Sequence, residues 1–191
     1  METILSFVVG LGLSAACGFR VFVPLLVVSI AAHSGHLSLA SGFEWMASDT
    51  ALIAFAAATA LEIAGYYIPW VDHALDTLAT PAAVVAGTII TASLVTDVSP
   101  FLRWTLAAIA EGGIAGVVQG TTVVARGLST ATTGGLANPI FATAELGGSV
   151  ITSLMALIVP VLTVILVAGV VGLGGFKLAR RASRASVSNP S

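Results

Sequence analysis

Charged residues are scarce in this chain of 191 residues. Seven are Lys or Arg and nine are Asp or Glu, so that 8% of the chain is charged, whereas 57% is hydrophobic. A soluble domain carries about 25% charged residues, and so few charges cannot cover the surface of a water-soluble protein of this length. The composition therefore indicates an integral membrane protein whose surface faces the lipid bilayer.

Cysteine and net positive charge are also lacking. Cys17 is the single cysteine, which excludes an internal disulfide and a zinc site built from cysteines. The formal net charge of −2 offers no basic surface to a nucleic acid. The sequence has no nucleophile elbow, no pair of intramembrane aspartates and no His-rich metal motif. We therefore expect neither an enzyme nor a cofactor, apart from a monovalent or divalent cation.

Long apolar segments predict an all-α polytopic bundle of six transmembrane spans. A span needs about 20 mostly apolar residues. The first segment, residues 3–32, exceeds that length and is either strongly tilted or broken near Gly18. Pro81 is expected to open the third span and Pro160 the sixth, since proline is favoured at the first helical position. The remaining spans are predicted at residues 50–69, 81–98, 104–125, 139–159 and 160–176.

Basic residues set the expected orientation. Lys177, Arg180, Arg181 and Arg184 lie in the segment 177–191, and positive residues mark the cytoplasmic side of a membrane. With six spans, both termini are then cytoplasmic, in a multi-pass protein of the inner (plasma) membrane. Residues 1–176 form the predicted transmembrane domain, and residues 177–191 a basic, disordered cytoplasmic tail. Two further arginines are expected in loops, Arg126 on the cytoplasmic side and Arg103 on the outer side.

The two halves of the chain share faint similarities. Residues 62–65 read Glu-Ile-Ala-Gly and residues 145–148 read Glu-Leu-Gly-Gly, in the second and fifth predicted spans. Because each half holds an odd number of spans, a repeat would be inverted. A second pattern, formed by Gly112, Gly113 and Gly116, favours close helix contacts and a homodimer.

Four ionisable residues lie at predicted membrane depth: Arg20, Glu62, Glu111 and Glu145. Each charge costs about 2.5–3.5 kcal/mol on insertion scales, so such residues usually face a cavity or a partner. Two interpretations stay open, a static ion pair and a pathway for a solute or an ion. We favour a pathway lined by Arg20, Glu62 and Glu145, in which Arg20 lies against Glu62 or Glu145.

A second polar cluster is "PWVDHALD", residues 69–76. Asp72 and Asp76 share a face if this stretch is helical, and His73 is adjacent. Asp and His together can bind a divalent cation, and these three residues are the candidate metal ligands. The alternative is a set of solvated loop acids that cap the third span.

The segment "LSTATTGGLANP", residues 128–139, is unusually polar for a loop between two apolar spans. Its hydroxyls, including those of Thr132 and Thr133, and its two glycines could form a coordinating loop. Asn138 would cap the next helix, with Pro139 in the first position. The alternative is a plain loop followed by a well-capped helix.

The predicted topology places both polar segments at one cytoplasmic mouth. We expect Asp72 or His73 within about 10 Å of Thr132 or Thr133, which is one Debye length at 0.1 M salt. A cation is favoured there over an anion, because Asp72 and Asp76 would repel an anion.

The strings "GLSAACGFRVFVPLL", "IPWVDHALD" and above all "STATTGGLANP" resemble the bacterial membrane family known as domain of unknown function 4126. The resemblance spans nearly the whole chain. It implies an integral membrane protein and transfers no activity and no site residue.

The function we expect is that of a small transporter or channel-like protein for an ion or a small polar solute. Its partners would be the lipid bilayer and that solute. The alternative is a structural or assembly protein of the membrane, in which the buried charges only fix helix packing.

Overall fold

The computed structural model describes residues 2–68, 71–96, 98–169 and 172. Within these residues the chain is helical and no strand occurs, which confirms the all-α class. A 3-10 turn, Glu44–Ala47, precedes the third helix. The helices are α1 (Glu2–Cys17), α2 (Phe22–His33), α3 (Asp49–Tyr66), α4 (Val71–Leu94), α5 (Pro100–Leu106), α6 (Gly112–Thr133), α7 (Asn138–Ile158) and α8 (Pro160–Gly169).

Four helical stretches are long and apolar enough to cross a membrane, by length and composition: Asp49–Tyr66, Ala74–Leu94, Pro100–Thr133 and Asn138–Ile158. Helices α1, α2 and α8 are apolar but shorter. Large apolar side chains cover much of the outside, as Leu61, Ile109 and Ile140 show with exposed fractions of 73%, 74% and 72%. This surface suits lipid contact. The count of six spans and the inverted repeat stay predictions, and the predicted tail lies outside the described residues.

The first apolar segment is broken rather than tilted. Helix α1 ends at Cys17 and α2 begins at Phe22. Gly18 stands at the break, where a Cβ atom would lie 2.7 Å from the carbonyl oxygen of Ala115 on α6. The close approach of α1 to α6 therefore requires glycine at this position.

Two sequence-based boundaries were wrong because polar residues were taken for loops. Pro81 lies inside α4, which already begins at Val71. Arg103 lies in α5 instead of an outer loop, and a π turn, Ala107–Glu111, joins α5 to α6. The polar residues at the start of α4 face a buried polar centre, so the helix has no need to end before them.

The segment 128–139 was also wrongly taken for a loop. Helix α6 continues to Thr133, and the connection to α7 contains only residues 134–137. Gly134 and Gly135 have φ angles of +65° and +88°, a conformation that L side chains rarely adopt. The threonine hydroxyls bond within the helix instead of lining a loop. Thr132 donates to the carbonyl oxygen of Leu128 at 2.9 Å, and Thr133 donates to that of Ser129 at 2.8 Å.

Helix α1 lies at the centre of the bundle, in contact with α4, α6 and α7. Its residues Leu13, Ala15 and Ala16 are fully buried. Ser14 ties it to α4 by donating to the carbonyl oxygen of Gly87 at 3.0 Å. A helix that is apolar on every side is found in a protein core or in a membrane. The central position of α1 brings its C-terminal end into the middle of the bundle.

Candidate functional site

The break between α1 and α2 leaves backbone groups unpaired inside the bundle, and neighbouring helices supply their partners. On α3, the carboxylate of Glu62 accepts hydrogen bonds from the backbone N–H of Val21 at 2.8 Å and of Phe22 at 3.1 Å. On α7, the hydroxyl of Ser149 adds a hydrogen bond at 3.0 Å to the carbonyl oxygen of Ala16, which also accepts from the backbone N–H groups of Phe19 and Arg20. Glu62 therefore caps α2, where a negative charge is favoured by the helix dipole.

Arg20 lies within the break and is 1% exposed. Its Nη2 donates to the carbonyl oxygen of Ala142 at 2.9 Å and lies 3.4 Å from Oε2 of Glu145. Its guanidinium carbon stands 3.7 Å from the centroid of the Tyr66 ring. Nε and Nη1 have no hydrogen-bond partner among the described residues. Glu145 is one of the two partners expected for Arg20.

Arg126 was predicted in a cytoplasmic loop, and that prediction is wrong. The residue lies within α6 and is 3% exposed. Its Nε donates to Oε1 of Glu145 at 3.1 Å, its Nη2 donates to Oε2 of the same carboxylate, and its Nη1 donates to Oδ1 of Asp76 at 2.8 Å. Two carboxylates neutralise the guanidinium, so the helix can continue past it without reaching water.

Glu145 and Tyr66 connect the two arginines. Oε2 of Glu145 faces Nη2 of both, and the guanidinium carbon of Arg126 stands 4.3 Å from the Tyr66 ring centroid. Such contacts between a guanidinium and an aromatic face are attractive. The result is one polar cluster, built from α3, α4, α6, α7 and the α1–α2 break.

The two polar segments of the sequence meet through Asp72 and Asn138, both residues of the predicted mouth, with Thr130 as a further partner that was not expected. Nδ2 of Asn138 donates to Oδ2 of Asp72 at 3.2 Å and to the hydroxyl of Thr130 at 3.1 Å. Thr132 and Thr133 instead bond to carbonyl oxygens of their own helix. Asn138 therefore links α4, α6 and α7 rather than acting as a helix cap.

The candidate metal ligands lie in the first turns of α4. Asp72 is bonded by Asn138 and Asp76 by Arg126, and the side chain of His73 lies outside the described residues, as does that of Glu111. Among the residues that the structure describes, no three His, Cys, Asp or Glu side chains form a group that could hold a metal ion. Cation binding by Asp72, His73 and Asp76 stays a prediction.

A cavity of about 400 Å³ opens between α2, α3 and α4 beside this cluster. Leu61 and Leu78, both on its wall, are 73% and 65% exposed, so the cavity reaches the outer surface of the bundle. Glu62 and Tyr66 are its polar wall residues. The complete lining is Val21, Phe22, Ala58, Leu61, Glu62, Tyr66, Leu75, Leu78, Ala79 and Ala82.

Sequence reasoning missed Tyr66, Arg126 and Thr130. A signal for Arg126 was available in the periodicity of α6, since Gln119 precedes it by seven residues and both are buried. Residues seven apart lie on the same helix face, so a polar pair at this spacing indicates a buried polar stripe. No comparable pattern singles out Tyr66.

The family model described as "Domain of unknown function (DUF4126)" matches residues 7–180. This match confirms the resemblance found in the sequence. No curated protein and no solved structure matches the chain.

Proposed function

Since the chain belongs to the family of domain of unknown function 4126, whose description assigns no activity, we propose from its geometry that it is a small membrane transporter or channel-like protein. Its cargo is an ion or a small polar solute. The binding centre is the polar cluster at the α1–α2 break, with Arg20, Glu62 and Glu145 as its central residues.

The observation that carries this proposal is the incomplete pairing of Arg20. Its side chain is 1% exposed, yet Nε and Nη1 have no partner among the described residues. A buried donor without an acceptor costs about 1–3 kcal/mol, and more when it is charged. Unpaired buried groups are rare and call for a specific reason. A ligand that supplies the missing acceptors is such a reason.

The broken helix supports the same proposal. Irregular backbone at membrane depth is tolerated where it is enclosed in protein or lines a cavity. Transporters commonly place their substrate sites at such breaks, where half-helix ends point at the bound ion or solute. Here the amides at the start of α2 and the donors of Arg20 converge on one break.

Flux through reconstituted liposomes tests the proposal. Purified protein would be placed in proteoliposomes, and currents would be recorded on a solid-supported membrane after jumps of sodium chloride, potassium phosphate, sodium acetate and sodium hexanoate. We expect the wild type to carry at least one of these ions and Arg20→Gln to lose that current.

Arg103→Gln is the matched control. Arg103 is a half-buried arginine of α5, 5.6 Å from the Phe43 ring and outside the polar cluster, and its Nε also lacks a partner among the described residues. It should retain wild-type currents. Equal loss in the two variants, or in the wild type neither a current nor a change of internal pH above that of empty liposomes with any of the four salts, would contradict the proposal.

A second candidate function is a structural or assembly role without transport. The specific observation in its favour is the dense pairing of Arg126 with Glu145 and Asp76. A pair of this kind fixes the register of α4, α6 and α7. In this case no salt would produce a current, while loss of Arg126 would still destabilise the protein.

The proposed location is the inner membrane, with six spans in two inverted halves and both termini in the cytoplasm. The single cysteine, Cys17, is fully buried, so Ser191→Cys would provide one accessible thiol. A membrane-impermeant maleimide should label this thiol in inverted vesicles and leave it unlabelled in intact cells. Labelling in intact cells would reverse the orientation.

Of the three glycines of α6 that suggest a homodimer, two are already used within the chain. Gly112 and Gly116 pack against α4, where an added Cβ would lie 2.7 Å from Thr88 and 3.1 Å from Val84. Gly113 has open space, which leaves it accessible to a second copy. Cross-linking of Gly113→Cys between two copies in the membrane would test this arrangement.

A further inference from the structure

We propose that the N-terminus of α2 and the side chain of Arg20 form a binding site for a monocarboxylate with an apolar tail, and that the carboxylate of Glu62 occupies this site when no ligand is bound. The inference rests on the transport function proposed above and gives its centre a substrate class.

Two capped amides at the start of α2 form the anion-binding end of the proposed site. The backbone N–H groups of Val21 and Phe22 follow each other at the start of a 12-residue helix and hold the two oxygens of Glu62 at 2.8 and 3.1 Å. Consecutive amides at a helix N-terminus form an anion-binding site. The protein itself shows which anion fits, since Glu62 places a carboxylate there.

Arg20 carries donors that Glu62 leaves unpaired. Arg20 directly precedes the two amides and is 1% exposed, and its Nε and Nη1 receive no acceptor from Glu62 or any other described residue. The carboxylate of Glu62 is tethered to α3, so its oxygens cannot move freely. A free carboxylate has no such tether and can shift from the amides towards Arg20, whose guanidinium stacks on the cavity-lining ring of Tyr66.

A cavity of about 400 Å³ lies beside the amides. Val21, Phe22 and Glu62 line it, and the opposite wall consists of apolar side chains such as Leu75 and Leu78. Its volume lies within the range of about 300–1,000 Å³ that is usual for small-molecule sites. A carboxylate head at the amides would therefore place an apolar tail against apolar walls.

The surrounding charges are balanced without Glu62. Arg20 and Arg126 face Glu145 of α7 and Asp76 of α4. Asp72, one turn before Asp76, is bonded by Asn138. A ligand carboxylate would replace the charge of Glu62 one for one, provided that the displaced Glu62 takes up a proton from solution. An ionised Glu62 displaced towards the apolar wall would be too costly.

Ligand binding to the purified full chain tests the proposal, because it does not depend on transport. Calorimetric titration of the protein in nanodiscs of uncharged lipid would use hexanoate, with acetate, hexanol and hexylammonium as comparison probes. Empty nanodiscs correct for partition into lipid. Glu62→Gln imitates the protonated acid and removes the competing charge, so it should bind hexanoate at least tenfold more tightly than the wild type.

Glu44→Gln is the control for loss of an acid. Glu44 also accepts a backbone N–H, from Gly42 at 2.7 Å, but lies on the exposed surface. It should bind hexanoate as the wild type does. Acetate should bind Glu62→Gln at least tenfold more weakly than hexanoate, and hexanol and hexylammonium should show no binding above empty nanodiscs.

Val21→Pro, added to Glu62→Gln, removes one of the two amide donors. Val21 has a φ of −68°, which proline adopts without change. The double variant should lose at least tenfold in hexanoate affinity with a melting temperature close to that of Glu62→Gln. Arg20→Lys in the same background offers a second test of the donor set and should also weaken binding.

Equal affinity of the wild type and Glu62→Gln, or no effect of Val21→Pro on binding, would overturn the site. Equal affinity for acetate and hexanoate, or binding of hexanol, would overturn the ligand class. Hexanoate binding with neither a current nor a change of internal pH above that of empty liposomes would leave the site standing and refute transport, because an anion that moves with one proton carries no net charge. A current carried by another ion without hexanoate binding would refute this inference and leave transport standing.

Discussion

Arg20 and Arg126 contact the same two side chains, Glu145 and Tyr66, yet they are paired to different extents. Arg126 donates from all three guanidinium nitrogens to two carboxylates. Arg20 donates from Nη2 to a backbone carbonyl and leaves Nε and Nη1 without a partner among the described residues. Both are almost fully buried, so exposure does not explain the difference.

The difference separates a structural role from a binding role within one cluster. A buried ion pair with complete hydrogen bonding holds its helices in register. A buried guanidinium with free donors keeps the capacity to bind an acceptor. The two arginines should therefore respond differently to removal.

The largest effect is expected for Arg126→Gln. This change leaves Glu145 and Asp76 facing each other without their shared cation, and breaking a buried pair in this way costs about 3–5 kcal/mol. Thermal unfolding of the purified protein in detergent should show a lower midpoint and poor recovery of monodisperse protein. A midpoint equal to that of the wild type would mean that Arg126 does not hold the helices together.

Arg20→Gln should destabilise less. The change removes the hydrogen bond to Ala142, for which about 1.5–3 kcal/mol is usual with a charged donor, but Glu145 keeps Arg126 as its partner. It also removes two buried donors that had no acceptor, which offsets part of the loss. The same unfolding measurement compares the two variants, and a larger loss for Arg20→Gln would reverse the roles assigned here.

The helical class and the buried charges could be predicted from composition and from the cost of charge in lipid. The length of the first apolar segment required either a strong tilt or a break near Gly18, and length alone does not decide between them. The spacing of Gln119 and Arg126 indicates a shared helix face but does not identify the partners of Arg126, and an arginine after an apolar span looks like a loop residue. Its true position depends on Glu145 and Asp76, which are 19 and 50 residues away.

The same limit explains the polar segments. Counting spans places Asp72 and the segment 128–139 on the same side of the membrane. The hydrogen bond between Asn138 and Asp72 agrees with that placement. Which side chains meet depends on the rotation of α6 and α7 about their axes. Local patterns do not fix that rotation, so Thr132 and Thr133 were chosen beside Asn138, and Thr130, which bonds to Asn138, was missed.

Gly18→Ala and Gly113→Ala test whether the break itself is fixed by packing. A Cβ at Gly18 would meet the Ala115 carbonyl oxygen at 2.7 Å, whereas one at Gly113 would meet nothing within 4 Å. Overpacking costs about 1–3 kcal/mol, and alanine in an open helix position gains about 0.5–1 kcal/mol over glycine. The first variant should melt below the wild type and the second at or above it. Similar midpoints for the two variants would show that α1 does not pack tightly on α6.

The smallest effect is expected at the end of the cluster near the α6–α7 connection, where Asn138→Ala and Thr132→Ala form a matched pair. Asn138 is 6% exposed and donates to both Asp72 and Thr130. Its loss should cost about 1 kcal/mol, since a net hydrogen bond contributes about 0.5–1.5 kcal/mol and Asp72 keeps other interactions. The exposed hydroxyl of Thr132 bonds only to its own helix, so its removal should change the unfolding midpoint little. If Thr132→Ala were the more harmful change, the hydroxyls would have a role that their helical bonds do not reveal. The polar cluster would then include Thr132 and the segment 128–139, as the sequence predicted.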